Sequence, residues 1–372
     1  MSFYFCVIIT IGDIMYDKAI EILNILENNN YKAYIVGGFV RDKLLGKISD
    51  DIDIITSASI QDISNIFSIE LNGNYLSTKL DYKGYNYDIT TFRKEDDYSD
   101  YRRPNKIEST SSLEEDLKRR DFTINAICID KDSKYVDLLN GIEDLNNKII
   151  RCIGDSDFKL KQDPLRILRA LRFSSIYSLD MDDNLVQSIN KNKELISKLS
   201  FDRIKKELDI VFNTSYVNSY IKMIDKFDLF KILKIKPKNS VKITNNYLTI
   251  WSQLDYSDEY NFSNKEDKYI NSIKDIINSG IDNYILYKYD IDLIKEANKI
   301  IESDINIDEE YNNLKIKSRK DIAITVDEIL NIVVDNSNLN KIYIDLEKQI
   351  LYNKLTNTKK DIISYLEGDI FE

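Results

Sequence analysis

Histidine is absent from the 372 residues. Its absence excludes a histidine general base, a Ser-His-Asp triad, histidine metal ligands and an HD-type phosphohydrolase centre. Cysteine is nearly as scarce. Cys6, Cys128 and Cys152 have no metal-ligand spacing and are too few for a disulfide framework, so a reducing cytoplasm is expected. Only 3 prolines and 10 glycines punctuate the chain, which favours long helices with few sharp turns. The apolar run Phe3 to Ile11 is too short to span a bilayer and lacks a basic flank, so neither a membrane anchor nor a signal peptide is expected. Positive charge is in deficit: 52 Lys and Arg against 63 Asp and Glu leave a net charge of −11. A generic nucleic-acid coat is thereby excluded, and any RNA contact must come from a local basic face.

What is present suits a folded chain. Hydrophobic residues make up 43% and charged residues 31%. That supports a sizeable core in roughly two or three domains. Residues 1–14 are either an extra strand or the product of an upstream start. Tyr16 to Glu27 reads as an amphipathic helix, with Ala19, Ile22, Leu23 and Leu26 on one face.

The most informative stretch follows. Tyr34-Ile35-Val36 meets Gly37-Gly38, then Phe39-Val40-Arg41-Asp42 and Leu44-Leu45-Gly46, then Asp51-Ile52-Asp53 before Ile54-Ile55-Thr56. The order predicts strand, glycine turn, helix, strand. Glycines let the backbone approach a ligand, and helix N-terminal amides favour phosphates. Residues i and i+2 of a strand share a face, so Asp51 and Asp53 are expected to project together. Paired carboxylates beside a phosphate cradle are what Mg²⁺-dependent phosphoryl transfer requires. Either feature alone is ordinarily a turn or a solvated strand end; the combination is more specific.

Further blocks recur downstream. Gly84 to Arg93 alternates as another strand and carries Asp88, which a solvated edge position explains as well as a third catalytic carboxylate does. Residues 94–116 are polar and read as a flexible loop. Arg119-Arg120-Asp121-Phe122-Thr123-Ile124-Asn125-Ala126 offers forked donors for a triphosphate. Gln162-Asp163-Pro164-Leu165-Arg166 then leads into Arg169 and Arg172 on one helical stripe. An N-cap explains Asp163, and a solvated face explains the arginines, on structural grounds alone. Lys159, Lys161, Lys191, Lys193 and Lys198 give this region basic character.

These blocks together resemble the class II tRNA nucleotidyltransferase / poly(A) polymerase family, the bacterial-type CCA-adding enzymes. The resemblance is strong to about residue 210 and weak beyond, where no residue can be carried over. It implies an α+β chain: a mixed-sheet nucleotidyltransferase head (residues 1–150), then an all-helical neck (151–215), body (216–318) and RNA-binding tail (319–372). It implies addition of CMP and AMP from CTP and ATP to the tRNA 3′ end, with pyrophosphate released and no nucleic-acid template. Asp51 and Asp53 would hold Mg²⁺, with Asp88 as third catalytic carboxylate. Gly38, Arg41 and Arg120 would bind the nucleotide, Asp163 and Arg166 would read the base edge, and Arg169 and Arg172 would support the pocket or meet phosphates. The family usually has Glu where this chain has Gln162, which removes a charge beside the base reader. Poly(A) synthesis and partial CC-only or A-only addition share the same motifs. A non-catalytic RNA-binding protein on the same scaffold is the alternative of a different kind. The expected setting is cytoplasmic, as a monomer or homodimer, with tRNA as the partner and no membrane association.

Overall fold

The computed structural model describes residues 2–70, 76–98, 104–244, 246–332 and 339–368. Its contacts divide the chain into two compact units, residues 1–211 with 219–233 and residues 212–218 with 234–372. The first unit thus contains residues 1–150 and all but the last four residues of the 151–215 span.

The chain opens with helix α1 (Ser2–Asn28). Ala19, Ile22, Leu23 and Leu26 are fully buried, as their spacing predicts. The first residues form neither a separate strand nor a separate element. The helix runs back through them, because one interior glycine, Gly12, costs only about 1 kcal/mol and no proline intervenes.

Strand β1 (Ala33–Val36), helix α2 (Gly38–Leu44), strand β2 (Asp53–Thr56) and helix α3 (Ile60–Phe67) follow in the predicted order. The hairpin β3 (Ser77–Tyr82) and β4 (Tyr85–Thr91) comes next. Residues 94–116, expected as a flexible loop, instead form β5 (Arg93–Tyr98), β6 (Pro104–Ser109) and α4 (Leu113–Lys118). Opposite charges face each other across the β5–β6 ladder, with Lys94 bound to Glu108 at 3.0 Å, so a charged sequence still pairs as strands. Ser112 caps α4 by accepting from the Glu115 amide. Asp100, Arg102 and Arg103 lie outside the described residues.

Strands β7 (Cys128–Ile129) and β8 (Tyr135–Val136) complete a six-stranded mixed sheet of order β3-β4-β2-β1-β7-β8. Val36, Ile55, Phe92 and Cys128 pack with Leu113 and Leu117 of α4 in one core cluster. Helix α5 (Gly141–Asn146) sits against the 123–125 turn, and a Cβ at Gly141 would fall 2.3 Å from the Thr123 carbonyl oxygen. This close approach gives the Asp137 to Gly141 block its structural reason. Asp137 Oδ1 also accepts from the Gly141 amide.

Beyond the sheet come β9 (Ile149–Ile150), α6 (Ser156–Gln162), α7 (Leu165–Tyr177), β10 (Asp180–Met181), α8 (Asp183–Asn192) and α9 (Phe201–Phe212). The neck is not wholly helical, since β9 and β10 pair in parallel. In the second unit, strands Ile235–Pro237 and Leu254–Tyr256 form another short ladder among helices. Trp251 is fully buried there, with Phe212, Tyr256, Tyr260 and Phe262 at ring-centroid distances of 5.3, 5.2, 5.0 and 5.3 Å. A separate aliphatic cluster contains Ile273, Ile294, Ile329, Leu346 and Ile350. Among the described residues no helix is long and apolar enough to cross a membrane.

Candidate active site

The register of the sheet builds the site. Asp53 stands opposite Asp88 in the parallel β2–β4 ladder and opposite Val36 in the antiparallel β1–β2 ladder. Asp51 lies just before β2 rather than inside it, so strand alternation is not what aligns it. Even so, the carboxylates of Asp51, Asp53 and Asp88 each offer an oxygen within 4.8 Å of the others. Asp88 therefore joins the pair, and the edge-strand explanation for it gives way to its place in the cluster.

Gly37 turns the chain between β1 and α2 at a φ of +86°, where a side chain is strained. A Cβ there would also stand 3.4 Å from Asp53 Oδ2 and 4.0 Å from Arg120 Nη1. Gly37, rather than Gly38, is thus the glycine that the site geometry requires. Gly38 follows as the first residue of α2.

Burial pushes the Asp53 carboxyl up to about 6, reinforced by Asp51 and Asp88 and opposed by Arg120. Arg120 offsets only part of the mutual repulsion of the three clustered carboxylates, since the Asp53 carboxyl still stands raised. A divalent cation would supply the remaining positive charge, and carboxylate oxygens are the donor type that Mg²⁺ prefers. The donor set therefore fits the metal that the sequence implies.

Arg120 supplies the second half of the site. Asp116 is fully buried and anchors it, accepting from Arg120 Nη2 at 3.3 Å and from Arg119 Nε at 2.9 Å. Arg120 Nε is buried without any hydrogen-bond partner. A buried guanidinium donor with no acceptor is costly unless a ligand completes it. Asp116 escaped the sequence reading, although its place four residues before Arg120 on a helix was a signal for it.

The other predicted residues are held by the protein itself. Arg41 is buried, donates to Asn125 Oδ1 and to Tyr177 Oη, and lies 4.3 Å from the Tyr177 ring centroid. It clasps α2 to the 123–125 turn and to α7. Arg169 binds Asp121 Oδ2 at 2.6 Å. Burial alone would raise the Asp121 carboxyl, but Arg169, Asn125 and the Phe122 amide outweigh it and hold it at about 2. Arg172 pairs with Glu207.

Asp163 and Arg166 are neighbours whose side chains do not meet. Asp163 Oδ1 accepts from the Leu165 amide at 3.0 Å, which is the capping bond expected on structural grounds. Both Asp163 oxygens also accept from Arg203, at 3.0 and 2.9 Å. Arg203 was not singled out from sequence, because 40 residues separate it from Asp163. Arg166 donates to the Lys159 and Arg119 carbonyls at 2.9 and 3.4 Å and to Gln162 Oε1 at 3.3 Å. The anticipated basic face is partly spent as well. Lys159 is buried and donates to the Lys118 carbonyl, with its ammonium lowered to about 8 by burial and by Arg166. Lys161 and Lys191 both bind Asp157.

Comparison with known proteins identifies the family. The Poly A polymerase head domain matches residues 33–151, and tRNA nucleotidyltransferase domain 2 matches residues 257–366. The CCA-adding enzyme of Ligilactobacillus salivarius is 32% identical over 397 aligned positions, covering 94% of this chain and 95% of that protein. That of Staphylococcus haemolyticus is 31% identical, covering 96% and 99%. The chain belongs to the CCA-adding enzyme family. A higher identity of 44% with the Lactobacillus helveticus CCA-adding enzyme is confined to 192 residues, 51% of this chain and 48% of that protein. Among solved structures, the Bacillus stearothermophilus CCA-adding enzyme in complex with CTP aligns with a TM-score of 0.76 at 21% identity, over 95% of this chain and 97% of that one. The Thermotoga maritima CCA-adding enzyme complexed with tRNA aligns at 0.64 and 17%, over 94% of each. At those identities the likeness is one of fold. Members of this family are nucleotidyl-transfer enzymes, and in this chain Asp51, Asp53 and Asp88 come together.

Proposed function

We propose that this chain adds CMP and AMP, from CTP and ATP, to the 3′ end of tRNA without a nucleic-acid template. The observation that carries the reading is the convergence of Asp51, Asp53 and Asp88 beside a buried Arg120 Nε that has no partner. Carboxylates to hold divalent metal and an incomplete guanidinium to meet a phosphate are the two halves of a nucleotidyl-transfer site. The 3′-oxygen of the RNA attacks the α-phosphorus, a new P–O bond forms, the bond to pyrophosphate breaks, and the hydroxyl proton passes to solvent. Asp51, Asp53 and Asp88 would hold Mg²⁺, which when bound supplies charge neutralisation and acidifies the attacking hydroxyl. Arg120 and the Gly37-Gly38 turn receive the triphosphate.

Base choice falls to Asp163 and Arg166. C and A each present an exocyclic amine that a carboxylate accepts, whereas U and G present a carbonyl that it repels. Arg203 fixes the Asp163 carboxylate, and Gln162 with the Lys159 carbonyl fixes Arg166, so the two readers are oriented before a base arrives. Arg41, Arg169 and Arg172 support that pocket. A cytoplasmic setting fits Cys128 and Cys152, which are free, buried thiols pushed up to about 12 by burial.

The test is incubation with tRNA transcripts lacking CCA and with each labelled nucleotide in turn. Extension by CCA and no further is expected. An adenosine ladder means poly(A) synthesis, a stop after CC or dependence on a CC end means partial addition, and absence of product means a non-catalytic scaffold.

A further inference from the structure

Two flanks border the three carboxylates, and they differ. On the β1 side stand Gly37 and Arg120, with the unpartnered Nε. On the β3 side lies a cavity of about 400 Å³ lined by Asp50, Asp51, Asp88, Asn86, Tyr85 and Lys79, among others. Lys79 is the sole cation of that lining. It stands directly opposite Asp88 in the β3–β4 ladder, and Asp88 stands opposite Asp53 in the next. Directly paired residues share a face, so Lys79, Asp88 and Asp53 form one row across the sheet. Lys79 is exposed, and its ammonium makes no hydrogen bond or ion pair among the described residues.

We propose that this cavity receives the 3′-terminal phosphodiester of the RNA primer and that Lys79 binds that phosphate. The inference rests on the nucleotide transfer proposed above and assigns its second substrate a place. Attacking and leaving oxygens lie roughly in line across the transferred phosphorus. With the triphosphate on the Arg120 flank, the attacking 3′-oxygen must come from the opposite, β3 flank. The strands from β1 to β3 span three intervals, roughly 14 Å, which is room for the α-phosphate between the two anions. A lining of aspartates alone would repel the primer backbone, and Lys79 is the group that offsets this repulsion next to the attacking atom.

A chemical double-mutant cycle tests the assignment. The substrates are tRNA transcripts lacking CCA, one natural and one whose last phosphodiester is a neutral methylphosphonate. In the wild-type chain the neutral linkage should raise KM for tRNA about fivefold, the weight of one exposed charge contact. Lys79→Ala should raise KM for natural tRNA by the same factor, leave KM for CTP in place, and be indifferent to the methylphosphonate. Lys79→Arg should restore the wild-type value. The salt dependence of tRNA KM should lose a slope of about 0.7 in Lys79→Ala, one single-stranded phosphate. A lysine that only keeps an edge strand soluble would move none of these. Additive effects of the two changes, or a rise in KM for CTP instead, overturn the assignment while leaving the activity intact. A wild-type chain that extends no tRNA overturns the transfer reaction itself, so the two failures are distinct.

Discussion

The carboxylate row on the sheet and the α6–α7 junction are opposites in charge balance. On the sheet, Asp51, Asp53 and Asp88 crowd together and Arg120 Nε lacks an acceptor. At the junction every charged group is already answered: Asp163 by Arg203, Arg166 by backbone carbonyls and Gln162, Arg169 by Asp121, Arg172 by Glu207. The first region is incomplete without ligand and is the place where charge is to be received. The second is complete, which suits the base-reading role proposed for Asp163 and Arg166. Unpaired charge marks chemistry here, and paired charge marks positioning.

The largest effect should come from breaking the incomplete side. Asp51→Ala or Asp53→Ala should abolish nucleotide addition, measured as label incorporated into tRNA, while tRNA binding by filter retention changes little. Asp53→Asn sharpens the point. Its carboxyl is raised in the folded state to about 6, so its charge opposes folding above that pH and costs nothing below about 4. The Asn variant should therefore be more stable than wild type by about 1–2 kcal/mol at pH 7 in EDTA, after discount for partial exposure, and equal to it near pH 4. Mg²⁺ should raise the melting temperature of wild type and not of the variant. An Asp53→Asn protein that is inactive but no more stable would mean that the row is not strained by its own charge.

On the complete side the sign reverses. Asp121 is held at about 2 in the fold, chiefly against its burial by Arg169, so its pairing stabilises above about pH 4 and is lost as pH falls toward 2. Asp121→Asn should cost about 2 kcal/mol at pH 7, because the partly exposed Arg169 loses its charge-assisted partner at a buried position. Urea unfolding at pH 7, 4 and 3 should show the gap between variant and wild type closing with acid. A gap that stays constant would remove the ion pair as its cause.

Asp163→Ala should act on both stability and choice. Loss of the Leu165 cap and of the Arg203 pair lowers the melting point by about 1 kcal/mol equivalent. Loss of the acceptor should also relax discrimination against UTP by about 1–3 kcal/mol, read from relative kcat/KM for the four nucleotides. A variant that melts lower yet still rejects UTP and GTP would reduce Asp163 to its capping role.

Much of this was legible in the sequence because the signals are local. Strand, glycine turn and helix around Gly37 and the alternation that delivers Asp88 depend on near neighbours. What was not legible is partnership at long range. Nothing near Arg41 in the chain announces its partners Asn125 and Tyr177. Arg203 is invisible beside Asp163 for the same reason. The β5–β6 hairpin was missed because its stabilising pairs are between charges, and charged residues without apolar alternation read as loop. The lysines near the neck read as a basic face until their partners, Asp157 above all, were placed beside them.

The smallest predicted effect is also the finest test of the complete region. Gln162 Oε1 accepts from Arg166 Nη1 at 3.3 Å, so the amide already performs the orienting contact that a carboxylate would strengthen. Gln162→Glu adds a charge-assisted bond to a guanidinium that the Lys159 and Arg119 carbonyls already satisfy. Because Arg166 is buried and triply held, the gain in order is limited, and selectivity for CTP and ATP over UTP should improve by less than about 1 kcal/mol. The melting temperature should rise slightly through the same bond. If Gln162→Glu leaves both unchanged, the carbonyls alone set the arginine. A loss of CTP addition with ATP addition preserved would mean that the neutral amide is itself part of the reader, because only then would a new negative charge beside Arg166 distinguish the two bases.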